Sequence, residues 1–158
     1  MENRTATLHL MVGLPCSGKT TKAKDLEKQH NALRLTPDVW HLRLFGNDAG
    51  SKDHDRYHDT IESIMWDHAS RVLSLGVDVI LDFGFWAKEE RDNFRERARA
   101  LGVNFRIHYM DVPVNELYKR LEKRNKKAYD ETFIIPKEDM EKYVCLFQPP
   151  TQDELKEQ

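Results

Sequence analysis

The chain has 158 residues, 25 of them basic and 27 acidic, for a formal net charge of −2. That length suits one domain with a substantial core, and the near-neutral balance excludes the broad positive field with which proteins grip duplex nucleic acid, leaving room for a local basic segment. Cys16 and Cys145 are expected to be free thiols, as in a reducing cytosol. The polar N-terminus precedes an apolar run too short for a signal peptide or a membrane span, so a cytoplasmic protein without membrane attachment is expected.

The first apolar run, Leu8–Val12, has strand length and leads into Gly13-Leu14-Pro15-Cys16-Ser17-Gly18-Lys19-Thr20-Thr21. This is a complete G-x-x-x-x-G-K-[ST] pattern, and the helix-like stretch Thr21–Glu27 follows it. Such a Gly-rich turn points successive backbone N–H groups inward, and the following helix adds positive potential at its N-terminus. The expectation is a bound nucleoside triphosphate cradled by Gly13, Pro15, Cys16, Ser17, Gly18, Lys19, Thr20 and Thr21. Lys19 would reach the β- and γ-phosphates, and the Thr20 hydroxyl would be a ligand of Mg²⁺.

The second expected strand, Ala32–Leu35, precedes Thr36-Pro37-Asp38, which reads as an N-cap, a proline at the first helical position and an acid in the first turn. That helix should end near Gly46. After a polar loop, Tyr57, Ile61, Ile64, Met65, His68, Val72 and Leu75 recur at helical spacing up to Gly76. A third strand, Val77–Leu81, is followed by Asp82, then a helix from about Ala87 to Leu101 and a fourth strand, Phe105–Met110. Helices from about Pro113 and from Pro136 complete the pattern. The domain is expected over 1–150, with 151–158 a charged tail free to fray. Strands alternating with helices predict an α/β fold with a parallel sheet wrapped by helices.

In such sheets ligands bind beyond the carboxyl ends of the strands. Asp38 and Asp82 both fall there. Asp38 is the candidate general base toward an attacking hydroxyl, and Asp82, with Thr20, the candidate metal-side acid. Arg91 sits on the apolar stripe of its helix near the same edge, where either bound substrate or a salt bridge would satisfy it. Arg120 and Arg124 share a helix face ahead of Asn125-Lys126-Lys127, either as a lid closing over transferring charge or as a solvated basic face. Phe85 and Trp86 would wall an acceptor pocket or pack the core. His54 and His58 lie four apart but lack the glutamate of H-E-x-x-H, and read as an ordinary exposed pair.

Taken together, Gly13–Thr20, Thr36–Gly46, Val79–Trp86, Tyr109–Pro113 and Lys119–Asn125 resemble the small P-loop kinase-like AAA family ATPases, zeta-toxin-like and related to polynucleotide kinase and chloramphenicol phosphotransferase. The resemblance implies a kinase-type P-loop NTPase fold: three α/β/α layers, a mainly parallel sheet and a short basic lid. It implies ATP and Mg²⁺ as cofactors, Asp38 as the acceptor-activating acid and Arg124 as a lid arginine on the nucleotide. One departure matters: where relatives acting on 5′-hydroxyl ends have arginine three residues after the base, this chain has His41, which cannot make a bidentate phosphate contact. The leading expectation is therefore a kinase acting on a hydroxyl of a small molecule, with Asp38, His41, Phe85, Trp86 and Arg91 toward the acceptor. A polynucleotide 5′-hydroxyl kinase is the less favoured alternative. A non-catalytic nucleotide switch is the third, and it would leave Asp38 unexplained.

Overall fold

A computed structural model describes residues 4–127 and 132–156. Part of the turn after the basic helix and the last two residues of the expected tail lie outside the described residues. The elements run β1 (Thr7–Val12), α1 (Lys19–His30), β2 (Leu33–Leu35), α2 (Pro37–Phe45), α3 (His54–Ser74), β3 (Val79–Gly84), α4 (Lys88–Leu101), β4 (Asn104–Tyr109), α5 (Val114–Lys126), α6 (Lys137–Leu146) and α7 (Gln152–Lys156).

All strand pairs are parallel, in the order β2-β3-β1-β4. Alternation along β1 divides its side chains between two faces. Leu8, Leu10 and Val12 face Ile61, Met65 and Leu73 of α3 and Phe94 and Ala98 of α4, the main core. Met11, with Ile80 of β3, packs against Ala23 and Leu26 of α1. With both faces covered, the central strands read as continuous apolar runs, as parallel sheets require. A third cluster joins Leu14 of the phosphate loop to Leu117 and Leu121 of α5, Met140 of α6, and Phe133 and Ile135 between those helices.

From β1 the chain crosses by α1 to β2, and from β3 it crosses by α4 to β4. The order therefore diverges at the adjacent strands β1 and β3, and a crevice opens beyond their carboxyl ends. The α/β expectation and its parallel sheet hold, with two shifts. β3 runs later than expected and includes Asp82, because pairing with β1 continues to Val12 and Gly84. The segment read as a fraying tail forms α7, whose Glu154 is 3% exposed.

Candidate active site

The phosphate loop is held by sterics and by its neighbours. A Cβ on Gly13 would lie 2.7 Å from Ser17 Oγ and 3.3 Å from the Met110 carbonyl oxygen, so only glycine fits. Gly13 N donates to Gly84 O at 3.1 Å, and the Trp86 indole donates to Gly13 O at 3.1 Å, bracing the loop against the end of β3. Cys16 sits at φ 67°, a strained value for a non-glycine residue and one that turns the loop. Lys19, the first residue of α1, donates from Nζ to Leu14 O at 2.8 Å. Burial pushes its ammonium below the ordinary lysine range, while Asp82 and Asp38 pull the other way.

Beside the loop, Thr20 Oγ1 donates to Asp82 Oδ2 at 2.6 Å and Thr36 Oγ1 to the same oxygen at 3.1 Å. Thr36 thus serves Asp82 and makes no side-chain cap for α2, the role its position in the sequence suggested. Burial pushes the Asp82 carboxyl above the ordinary range, with the Thr20 hydrogen bond and Lys19 opposing. Its Oδ1 is buried with no hydrogen-bond partner, as is Ser17 Oγ. An unsatisfied carboxylate oxygen next to a threonine hydroxyl suits a hard cation that prefers oxygen ligands, so this donor set fits Mg²⁺ on a phosphate chain.

These groups open into a cleft of about 870 Å³ that also contains Asp38, His54, His58, Glu62, Glu90 and Arg124. The Asp38 side chain is 47% exposed, and its Oδ1 lies 3.8 Å from His58 Nε2, which is 3.4 Å from Glu62 Oε1. Burial lowers the His58 imidazole, but Glu62 and Asp38 raise it more, and it ends above its ordinary value. Burial, with the charge of Glu62 adding to it, pushes the Glu90 carboxyl up to about 7. The cleft therefore has a cationic end at Lys19 and Arg124 and an acidic wall at Asp38, Glu62 and Glu90. Sequence reasoning missed Glu62 and Glu90, although Glu62 lies one turn beyond His58 and Glu90 in the first turn of α4, both toward the active edge.

Of the two arginines of α5, Arg124 borders the cleft. Its guanidinium lies 3.6 Å from Cys16 Sγ and donates to Phe133 O at 2.9 Å, while its Nε is buried without a partner. Arg120 donates to Glu116 and to Cys16 O at 3.2 Å, reaching the phosphate loop from outside.

Three acceptor-side expectations are corrected. Arg91 is fully buried: Nε donates to Glu154 Oε1 at 2.8 Å, and NH1 donates to Phe85 O and Trp86 O at 3.0 and 3.1 Å. Its partner comes from α7, so it holds the segment after β3 in place and does not face substrate. His41 is also fully buried, paired with Asp48 and His58 beneath the cleft. Phe85 touches the cleft lining but is 1% exposed, and its ring packs against Phe83 and Phe94 in the core. Trp86 does border the cleft, with its ring against Tyr143.

A phosphate loop between a first parallel strand and its helix, a carboxylate on the adjoining strand and arginines arriving from a later helix define a kinase-type P-loop site. Residues 8–150 match the family described as AAA domain, and the chain belongs to it, within its small P-loop kinase-like members. No curated protein matches the sequence. Among solved structures, one chain of the Pnkp1/Rnl/Hen1 RNA repair complex is 26% identical with a TM-score of 0.74 over 90% of this chain. This chain spans 44% of that one, less than half its length. A Chloroflexus aurantiacus protein described as a kinase is 17% identical, TM-score 0.75, covering 93% of this chain and 79% of its own. A sugar kinase from Janibacter sp. HTCC2649 is 18% identical, TM-score 0.67, covering 96% and 82%. The likeness to small P-loop kinases read from the sequence is borne out, and so is the fold class. Among the described residues no helix is long and apolar enough to cross a membrane.

Proposed function

We propose that the chain transfers the γ-phosphoryl group of ATP to a hydroxyl of a small, neutral or cationic acceptor. The loop amides and Lys19 hold the triphosphate, Thr20 and Asp82 would hold Mg²⁺, and Arg124 faces the transferring group from α5. When bound, Mg²⁺ neutralises charge on the β- and γ-phosphates. Asp38 accepts the proton of the attacking hydroxyl; its carboxylate is accessible from the cleft, and its field reaches both Lys19 and Asp82.

The observation that carries this reading is the acidic wall. Asp38, Glu62 and Glu90 line the cleft, and among the described residues lining it the arginine and lysine side chains are Lys19 and Arg124 at the phosphate-loop end. Carboxylates accept hydrogen bonds from hydroxyl or ammonium groups and repel a polyanion. A 5′-hydroxyl nucleic-acid kinase is the second reading, favoured by the identity with the RNA repair chain and disfavoured by that wall.

The test is transfer of labelled γ-phosphate from ATP, with Mg²⁺, to a panel of small polyols, sugars and amino alcohols and to 5′-hydroxyl oligonucleotides. Asp38→Ala serves as the control. Transfer to a small acceptor that falls by about 10²–10⁴ in the variant, with ATP affinity kept, supports the proposal. Asp38-dependent transfer to oligonucleotide ends overturns it.

A further inference from the structure

His41 on α2 and His54 and His58 on α3 are brought together by the loop between the two helices, which folds back so that Asp48 meets the edges of the His41 and His54 rings. Asp48 Oδ1 is 2.8 Å from His41 Nε2 and 2.6 Å from His54 Nδ1. A carboxylate only accepts, so both of those ring nitrogens carry their protons, and His41 Nδ1 and His54 Nε2 are left as lone-pair donors. The third ring differs: its Nδ1 lies 3.2 Å from His41 Nδ1 and, in the metal-free protein, donates its proton to that lone pair, while its Nε2 is 3.4 Å from Glu62 Oε1 and 3.8 Å from Asp38 Oδ1, so a metal ion would displace the Nδ1 proton. One ligand atom from each of the three residues lies within 4.8 Å of the others. Two nitrogens on a tetrahedral ion at 2.0–2.1 Å would stand about 3.3 Å apart, close to the His41–His58 separation.

We propose that His41, His54 and His58 form a binding site for one divalent metal ion of the zinc class, fastening α2 to α3 beside Asp38. Imidazole ligands select zinc and its transition-metal neighbours over Mg²⁺, which separates this site from the one at Thr20 and Asp82. The Asp48 carboxylate on the far nitrogens of His41 and His54 is the arrangement that fixes tautomers and ring orientation at histidine metal sites. Phe133 meets the rings of His41 and His54 edge-on at 5.3 and 5.2 Å, and Phe45 meets His41 at 5.4 Å, giving the apolar surround that keeps bulk water from the ligands. His54 and His58 border the cleft, so a fourth ligand enters from that side. The other such grouping among the described residues, His9, His30 and Asp78, is a poorer candidate because the Arg4 guanidinium already occupies Asp78 Oδ2 at 2.8 Å. Sequence spacing gave only the His54–His58 pair; His41 and Asp48 join it through the turn of the chain.

The test is titration of untagged, chelator-treated protein with Co²⁺ in the absence of nucleotide. The expected result is one ion per chain with the visible absorption of a four-coordinate, nitrogen-rich site, displaced by Zn²⁺. His54→Ala, at a partly exposed position that spares the core, should weaken binding at least tenfold, and Asp48→Asn by about 10–100-fold. Asp82→Asn should leave it unchanged. No uptake, uptake equal in His54→Ala, or uptake lost in Asp82→Asn overturns the proposal; circular dichroism confirms that each variant is folded.

Discussion

Removing the Glu154 carboxylate strands a cation in the interior. Arg91 is fully buried, and Glu154 answers it twice, at 2.8 Å to Nε and 3.3 Å to NH2. The remaining nitrogen, NH1, is spent on the carbonyls of Phe85 and Trp86, which can share hydrogen bonds but cannot neutralise charge. Breaking a buried pair by deleting one partner costs about 3–5 kcal/mol. For a chain of this size each kcal/mol moves the midpoint by about 2–4 °C, so Glu154→Ala should melt roughly 6–20 °C below the parent. Truncation after Pro150 should do the same, since it removes α7. The double variant Arg91→Met/Glu154→Leu should recover most of the loss, because no charge is left unpaired. Thermal and urea unfolding followed by circular dichroism measure all three. A loss under about 1 kcal/mol in Glu154→Ala, or a double variant no better than the single one, would refute the reasoning.

Two further outcomes are expected. Burial holds both His9 and His108 down at about 4, with His30 adding to the effect on His9 and His9 to that on His108. The unfolded chain protonates these rings near 6.5 while the folded one resists, so stability present at pH 7 is lost as pH falls from about 6.5 toward 4. A depression of this size amounts to about 3 kcal/mol for the first proton on the pair. His108→Gln, which keeps a partner for His9 and cannot charge, should flatten the melting temperature over that window; a parent profile already flat would count against the pair. Asp82→Asn should raise the melting temperature of the nucleotide-free protein, since burial disfavours the charge it removes. The same change should cut Mg²⁺-dependent transfer by about two orders of magnitude or more. A lower melting temperature in that variant would show that Asp82 is stabilising on its own account.

What the sequence disclosed tracks how local the determinant is. The phosphate loop was legible because its amides, glycines and lysine lie within one turn of chain, and Gly13 is fixed by a contact with Ser17 only four residues on. Apolar runs gave the strands because a sheet covered on both faces tolerates little else. Asp38 was legible because Pro37 announces the helix start. Arg91 was not, because its partner is 63 residues away on a short helix that looks like a polar tail. Thr36 read as a helix cap, and only the approach of Asp82 from β3 gives its hydroxyl a different partner. His41 was legible as a departure from arginine but not as a buried ring, since its burial depends on where the loop through Asp48 returns.

The polarity of the cleft links these points. On the proposed reading, Lys19, Arg124 and the start of α1 draw phosphates to the loop, while Asp38 and Glu62 set negative charge on the acceptor-side wall and Glu90, held up to about 7, carries part of its charge at neutral pH. A substrate with phosphates at both reacting ends would set like charges against that wall in a partly buried site, where screening by salt is weak. On the proposed reading, discrimination against polyanionic acceptors follows from that wall. His58 is the hinge of this arrangement: it sits within 3.8 Å of the proposed base and 3.4 Å of Glu62, so whatever fixes its ring also fixes where Asp38 points. The buried His41, one turn after Asp38 on α2, holds that ring through the 3.2 Å Nδ1–Nδ1 contact, and on the proposed reading the residue standing in place of arginine would position the base.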